Sequence, residues 1–203
     1  MAHQTKKTNH NHMNTKLMLA GLALIGATAV SAQENRFSAG LELALPMGDF
    51  GDAVGFGFGA TLGFELPVGD NLGLVAQAGY ISFSGKDFDV PGFGTISGPS
   101  VAAIPLQVGA KYYFTDNQEG FYAGVLTGMH LLSSDGSDGT SDFGVAPMIG
   151  MFVTENIDIA LRYQMLFDKQ ETVVVSGTSV TTESKSVTNS YIGLRAAYTF
   201  GER

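Results

Sequence analysis

Six charged side chains carry most of the chemistry open to this sequence: Glu42, Glu65, Lys111, Asp158, Arg162 and Arg195. Each lies in a stretch where good hydrophobes take every second position, and each sits on the opposite parity to them. Three acids and three bases on one side of strand-like segments can do one of two things. They can pair into salt bridges that fill an enclosed space, since a buried charge without a partner is very costly. Alternatively, they can line a narrow path for water, ions or small solutes. Gln77, Gln107 and Gln164 share their parity and fill hydrogen-bond gaps. Position along the stretches favours Glu42 beside Arg195, and Lys111 beside Glu42 or Glu65.

Other chemistry has thinner support. With no Cys in the chain, thiolate metal sites and disulfides are excluded. Gly55-Phe56-Gly57-Phe58-Gly59-Ala60 matches the loose dinucleotide fingerprint, but it alternates like a strand and no helical pattern follows it. The run 133–142, SSDGSDGTSD, is acidic but lacks the calcium-loop pattern and its twelfth-position Glu. No catalytic, cofactor-binding or metal-binding residues are therefore expected, and no cofactor.

The elements that must position the six charges are eight period-two stretches. Their hydrophobic sides run Phe37–Leu45, Phe56–Leu66, Leu72–Tyr80, Ile104–Phe114, Phe121–Leu131, Phe143–Val153, Ile157–Phe167 and Ile192–Phe200. Each has about the length that a tilted strand needs to cross a bilayer. No stretch shows the 3.6-residue period of an amphipathic helix. The connections alternate: short at Val68–Asn71, Thr115–Gly120 and Thr154–Asn156, long at 46–55, 84–100, 132–142 and 168–188. Short turns on one side and long loops on the other are the habit of outer-membrane barrels, with the short turns periplasmic.

The two faces support the same architecture. The second face is glycine-rich, as in Gly57, Gly59, Thr61, Gly63 and Glu65. A hydrated sheet face has no need of such residues, whereas a narrow barrel interior needs small side chains. Phe37, Phe64, Tyr112, Phe114, Phe121, Tyr198 and Phe200 cluster at the short-turn ends of the apolar face, as an interfacial girdle would.

The N-terminal residues read as an export signal. From Met13 the chain has Lys16, an apolar run Leu17–Ala29 and a small-residue cleavage site Val30-Ser31-Ala32. Residues 1–32 are expected to be a cleaved signal peptide with an N-terminal extension, starting at Met1 or Met13, and residues 33–203 the barrel domain. Cleavage removes three lysines and no acid from a chain of net charge −8. An acidic exported protein is a poor nucleic-acid binder, since phosphate recognition needs clustered Lys and Arg.

The segments LALPMGDFGDAVGFGFGATLGFELPVGDNLGL, AGYISFSG and IPLQVGAKYYFTDNQEGFYAG resemble the small outer-membrane β-barrel proteins of Gram-negative bacteria, the kind grouped with OmpX and the OmpA transmembrane domain. The resemblance spans about residues 36–200. It implies an all-β fold, an eight-stranded antiparallel up-and-down transmembrane barrel in the bacterial outer membrane, with periplasmic termini. One departure is that Phe200 is followed by Gly201-Glu202-Arg203, whereas such chains typically end on the last strand's aromatic residue.

The expected function is structural or surface-interacting, without enzymatic activity, in a monomer whose lumen is plugged by polar side chains. The partners are outer-membrane lipid and an extracellular protein met by loops 84–100 and 168–188. Loop 84–100 carries Phe88, Val90, Pro91, Phe93 and Ile96, and the β-branched run 173–182 reads as a ribbon continuing the last two strands. The alternatives are a narrow channel and a lipid-modifying enzyme using His130 with a Ser; no acid pairs with His130 on sequence grounds.

Overall fold

The structure, a computed structural model, describes residues 35–90, 94–118, 120–134, 139–176 and 179–200. The expected signal peptide and its cleavage site lie outside the described residues, as do Gly201-Glu202-Arg203. So do Pro91 and Phe93, and the side chains of Phe88, Val90, Ile96 and residues 169–186.

Period-two sequence yields strands throughout. In chain order they are β1 Arg36–Met47, β2 Val54–Pro67, β3 Leu72–Gly85, β4 Asp87–Val90, β5 Gly94–Ser97, β6 Val101–Tyr113, β7 Phe121–Ser134, β8 Thr140–Phe152, β9 Ile157–Ser176 and β10 Ser179–Phe200. Eight of them close into a barrel in the order β1-β10-β9-β8-β7-β6-β3-β2. Every neighbouring pair is antiparallel, and β1 closes on β10 through Phe37↔Phe200 to Met47↔Ser190. This is the expected eight-stranded up-and-down topology.

Two features depart from the plain strand-and-loop expectation, and a third meets the expected ribbon. The loop after β3 contains a hairpin of its own, β4 with β5, paired from Asp87↔Ser97 to Val90↔Gly94. The first long connection folds into a one-and-a-half-turn helix, α1 Gly48–Ala53, too short to leave a helical period in the sequence. Strands β9 and β10 run 20 and 22 residues, against 12 to 14 for the other barrel strands. They pair with each other up to Ser176↔Ser179. Beyond Phe143↔Phe167, β9 has no register with β8, and β10 has none with β1 beyond Met47↔Ser190. The two arms therefore continue as a two-stranded ribbon beyond the barrel wall.

The outer wall is apolar. Leu41 is 70% exposed, Leu62 67% and Phe114 64%, while their inward neighbours Glu42, Thr61 and Tyr113 are buried. Two apolar clusters fill part of the lumen. Near the short turns lie Tyr113, Tyr122, Leu126, Met148 and Phe152, among others. Near the long loops, Ile81, Phe83, Ala103 and Tyr191 form a second cluster, with Phe50 of α1 packed against it. The charged residues sit between and beside these clusters.

Candidate functional site, a polar lumen

The inward faces of the strands deliver polar groups to the lumen, and many of these groups interlock. Lys111 Nζ on β6 donates to Glu65 Oε2 on β2 at 2.9 Å. The other oxygen of Glu65 accepts from Tyr113 Oη. Arg195 on β10 spreads its fork across three elements. It donates from Nη1 to Asp158 Oδ2 at 3.1 Å, from Nε to Thr61 Oγ1 at 2.8 Å and from Nη2 to Ser38 Oγ at 2.9 Å. Asp158 also accepts from Tyr122 Oη at 2.7 Å and lies 3.9 Å from Lys111 Nζ. Lys111 sits 4.6 Å from the centroid of the Tyr122 ring, within cation–π range.

Higher in the lumen, Arg162 forms an ion pair with Glu42, both almost wholly enclosed. Arg162 Nη1 also approaches Gln107 Oε1 at 3.4 Å, and Gln107 Nε2 donates to Gln164 Oε1 at 3.0 Å. Gln77 is buried, and its Nε2 has no hydrogen-bond partner among the described residues.

The pairing differs from the positional expectation in one respect. Glu42 and Arg195 are register partners on β1 and β10, yet each takes its ionic partner elsewhere. The cause lies in glycine on the intervening strand. Gly193 of β10 stands opposite Arg162, and a Cβ there would fall 2.7 Å from Glu42 Oε1 and 3.0 Å from Arg162 Nε. The Glu42–Arg162 pair therefore closes over a position that has no side chain. Gly73 of β3 plays the same part beneath Glu65 and Lys111: it faces Lys111 in register, and a Cβ there would lie 2.5 Å from Glu65 Oε1. Gly193→Ala should cost about 1–3 kcal/mol by forcing that pair apart, read as a lowered midpoint of the heat-induced gel shift. An unchanged midpoint would show that the pair has room to yield.

Side chains meet at both ends of the barrel. At the short-turn end, Arg36 Nη1 donates to Gln118 Oε1 at 3.0 Å, and Gln118 Nε2 donates to Gly69 O and Leu72 O at 3.0 and 2.9 Å. Gln118 takes the left-handed backbone conformation, φ 56°, to aim inward. At the long-loop end, Phe50, Phe83 and Tyr191 stack edge-on, with centroids 5.2 and 5.6 Å apart. Between these contacts, a gap bounded by Ser38, Glu65, Gln77, Lys111, Arg162 and Arg195 has about 20 Å³, the space of one water.

Arg36, Gln118 and Asp142 belong to the lumen and escaped the sequence reading, whereas Tyr113 and Tyr122 share the inward parity of the charges. Parity marks Arg36 and Asp142 as inward, but both stand at strand ends where the alternation is short. Asp142 faces His130 in register across β7 and β8, so an acid does neighbour that histidine. Neither imidazole nitrogen has a hydrogen-bond partner among the described residues. Those residues contain no cluster of three metal-ligating side chains. The Gly55–Ala60 fingerprint lies within β2, and residues 135–138 of the acidic run lie outside the described residues.

The seven girdle aromatics stand at the short-turn ends of their strands. Phe37 packs on Phe64, Tyr112 on Phe114 and Tyr198 on Phe200, with centroids 5.1, 5.8 and 4.9 Å apart; Phe121 is exposed beside them. From Phe37 to Met47 the outward face climbs ten residues, about 25 Å at the usual tilt, the height of a membrane apolar band. A water-soluble barrel would bury these side chains and hydrate the charges; here the wall is apolar and the charges are inside. This is the fold of an integral outer-membrane barrel. Closed barrels leave no edge in lipid, so every wall strand is satisfied by its neighbours.

Solved structures similar to this outer-membrane barrel include the N-terminal β-barrel domain of Pseudomonas aeruginosa OprF, at 12% identity and TM-score 0.49 over 82% of this chain and 98% of that one. The Yersinia pestis outer membrane protein Ail in a phospholipid bilayer nanodisc is 14% identical, with TM-score 0.49 over 82% of this chain and 100% of that one. Neisserial surface protein A is 17% identical, with TM-score 0.44 over 82% and 97%. The sequence matches no protein-family model and no curated protein.

Proposed function

We propose that this protein is a plugged, non-conducting and non-enzymatic barrel of the bacterial outer membrane that acts at the cell surface, through the segments rising above its outer end. The termini are periplasmic in this reading, the barrel works as a monomer, and the lumen charges Glu42, Glu65, Lys111, Asp158, Arg162 and Arg195 serve as a plug. The carrying observation is the β9–β10 ribbon, which outruns the other barrel strands and, among the described residues, has no strand register on the outer edge of either arm beyond the wall. An open edge of this kind offers main-chain hydrogen bonds to an extended segment of another protein. Within the lumen, by contrast, the gap among the charged side chains holds about one water. Plug and surface role therefore go together: what cannot pass through the barrel leaves its exposed segments as the working part.

Two measurements test the two halves. In planar lipid bilayers the wild-type barrel should be electrically silent, and Asp158→Ala should admit a small conductance, because Arg195, Lys111 and Tyr122 lose their common partner; a steady wild-type conductance would favour the narrow channel instead. Cutting the ribbon back to a tight turn between Phe167 and Thr188 should leave the heat-dependent gel shift intact and abolish capture of surface proteins by whole cells. Capture unaffected by the cut would remove the ribbon from the function.

A further inference from the structure

The outer wall is not uniform near the long-loop end. A groove of about 550 Å³ opens there, lined by Tyr80, Ala102, Ile104, Leu131, Ser133 and Ser141 among others. Its origin is visible in the register. Strand β6 pairs with β7 without a break through Pro105↔His130. On its other edge the ladder with β3 runs to Ala78↔Leu106 and resumes at Ile81↔Ala103, skipping Gly79 and Tyr80 opposite Pro105 and Ile104. Proline has no N–H to give that neighbour, so the two strands lose their bond there. Ala102, with its single methyl, forms a shallow floor just above the break, and Tyr80, Ile104 and Leu131 stand around it as exposed apolar walls.

Depth decides what can occupy the groove. Ile104 is eight residues above Tyr112 on its strand, and Leu131 ten above Phe121. That puts the walls about 20–25 Å above the aromatic girdle, at the outer edge of the apolar band. Hydroxyls of Ser133, Thr140 and Ser141 rim the groove, and among the described residues no charged side chain lines it. The groove thus runs from hydrocarbon to headgroup level, apolar first and then neutral hydrogen-bonding. Its volume is within the roughly 300–1,000 Å³ of small-ligand sites.

We propose that this groove is a binding site for one membrane lipid of the outer leaflet, its acyl chain lying over Ala102 between Tyr80 and Leu131, and its headgroup bonded at Ser133 and Ser141. The site rests on the transmembrane placement of the wall. It recognises hydrogen-bonding atoms of the headgroup, because its described lining offers hydroxyls at that level. A packed acyl chain also covers the stretch where β3 and β6 lack their mutual bonds.

The test is native mass spectrometry of the full-length barrel, reconstituted in vesicles of phosphatidylethanolamine with a minority of phosphatidylglycerol and then extracted in mild detergent. Wild type should retain one phospholipid, predominantly phosphatidylethanolamine. Ala102→Phe, which fills the floor, should lower retention about tenfold, and Leu131→Ala, which removes a wall, should lower it as well. Ala196→Phe, an equivalent change on the exposed face of β10, should leave it unchanged. The heat-dependent gel shift of each variant reports insertion separately, so loss of the barrel is not mistaken for loss of the site. Wild type emerging free of lipid overturns the proposal. So does equal retention by Ala102→Phe and Leu131→Ala in the folded state, or a doubled protein mass showing that a second copy covers the groove.

Discussion

Glu42→Ala should destabilise the folded barrel by about 3–5 kcal/mol, the usual result of removing one partner from a buried ion pair. Arg162 would keep its charge in a site that is almost wholly enclosed. Its remaining polar neighbours, Gln107 Oε1 at 3.4 Å and the Tyr191 hydroxyl, are neutral. Asp158 cannot replace Glu42, because it lies four residues back on the same strand and already serves Arg195 and Tyr122. Urea titration of folding in lipid vesicles would measure the loss. The double variant Glu42→Leu/Arg162→Met should recover most of it, since two apolar groups of similar size leave no charge stranded. A single-variant loss below about 1 kcal/mol, on the scale of exposed pairs, would mean that water reaches this part of the lumen and that the plug is leaky.

Leu41→Arg should cost about 2–4 kcal/mol, the penalty for a cation at the midplane of a barrel's lipid face. Leu41 is 70% exposed, and in register it lies between Ala60 and Ala196, so no acid is at hand. It is four residues above Phe37 on a band of ten, close to half height. In water a substitution at so exposed a position would change stability by no more than about 0.5 kcal/mol. The prediction therefore separates a lipid-facing wall from a hydrated one by several-fold. The same vesicle titration measures it, with Asp70→Arg in the short turn after β2 as a control that should be near neutral. Equal, small effects at both positions would sink the membrane assignment.

Much of this architecture is legible in the residues. Strand after strand alternates, and the alternation labels each side chain as wall or lumen whatever the neighbours are. Glu42 and Leu43 must face opposite ways in any strand. The uniformly apolar set, Leu41 and Leu62 among it, can only be the set that meets lipid, because the other set carries the charges. The short helix α1 left no such trace: six residues do not complete two helical turns, so no period can show.

Partnership inside the lumen is a different matter. The sequence places Glu42 and Arg195 at matching heights on strands that must close the barrel, and they do stand opposite one another. Their side chains still pair elsewhere. A charged side chain is long enough to cross a neighbouring strand, and it crosses where that strand carries glycine, as at Gly193 and Gly73. Which glycine comes to lie between which charges depends on the register of three strands at once.

The sequence by itself determined the strand count, the up-and-down order and the two faces, because those follow from a period of two and from the chemistry of single residues. Only the tertiary structure decided who pairs with whom, that Phe50 and Gln118 lie at the two ends of the barrel, and that Pro105 opens a groove in the wall. All of these depend on the stagger between neighbouring strands, and stagger is fixed by the closure of the whole barrel, not by any one strand's pattern.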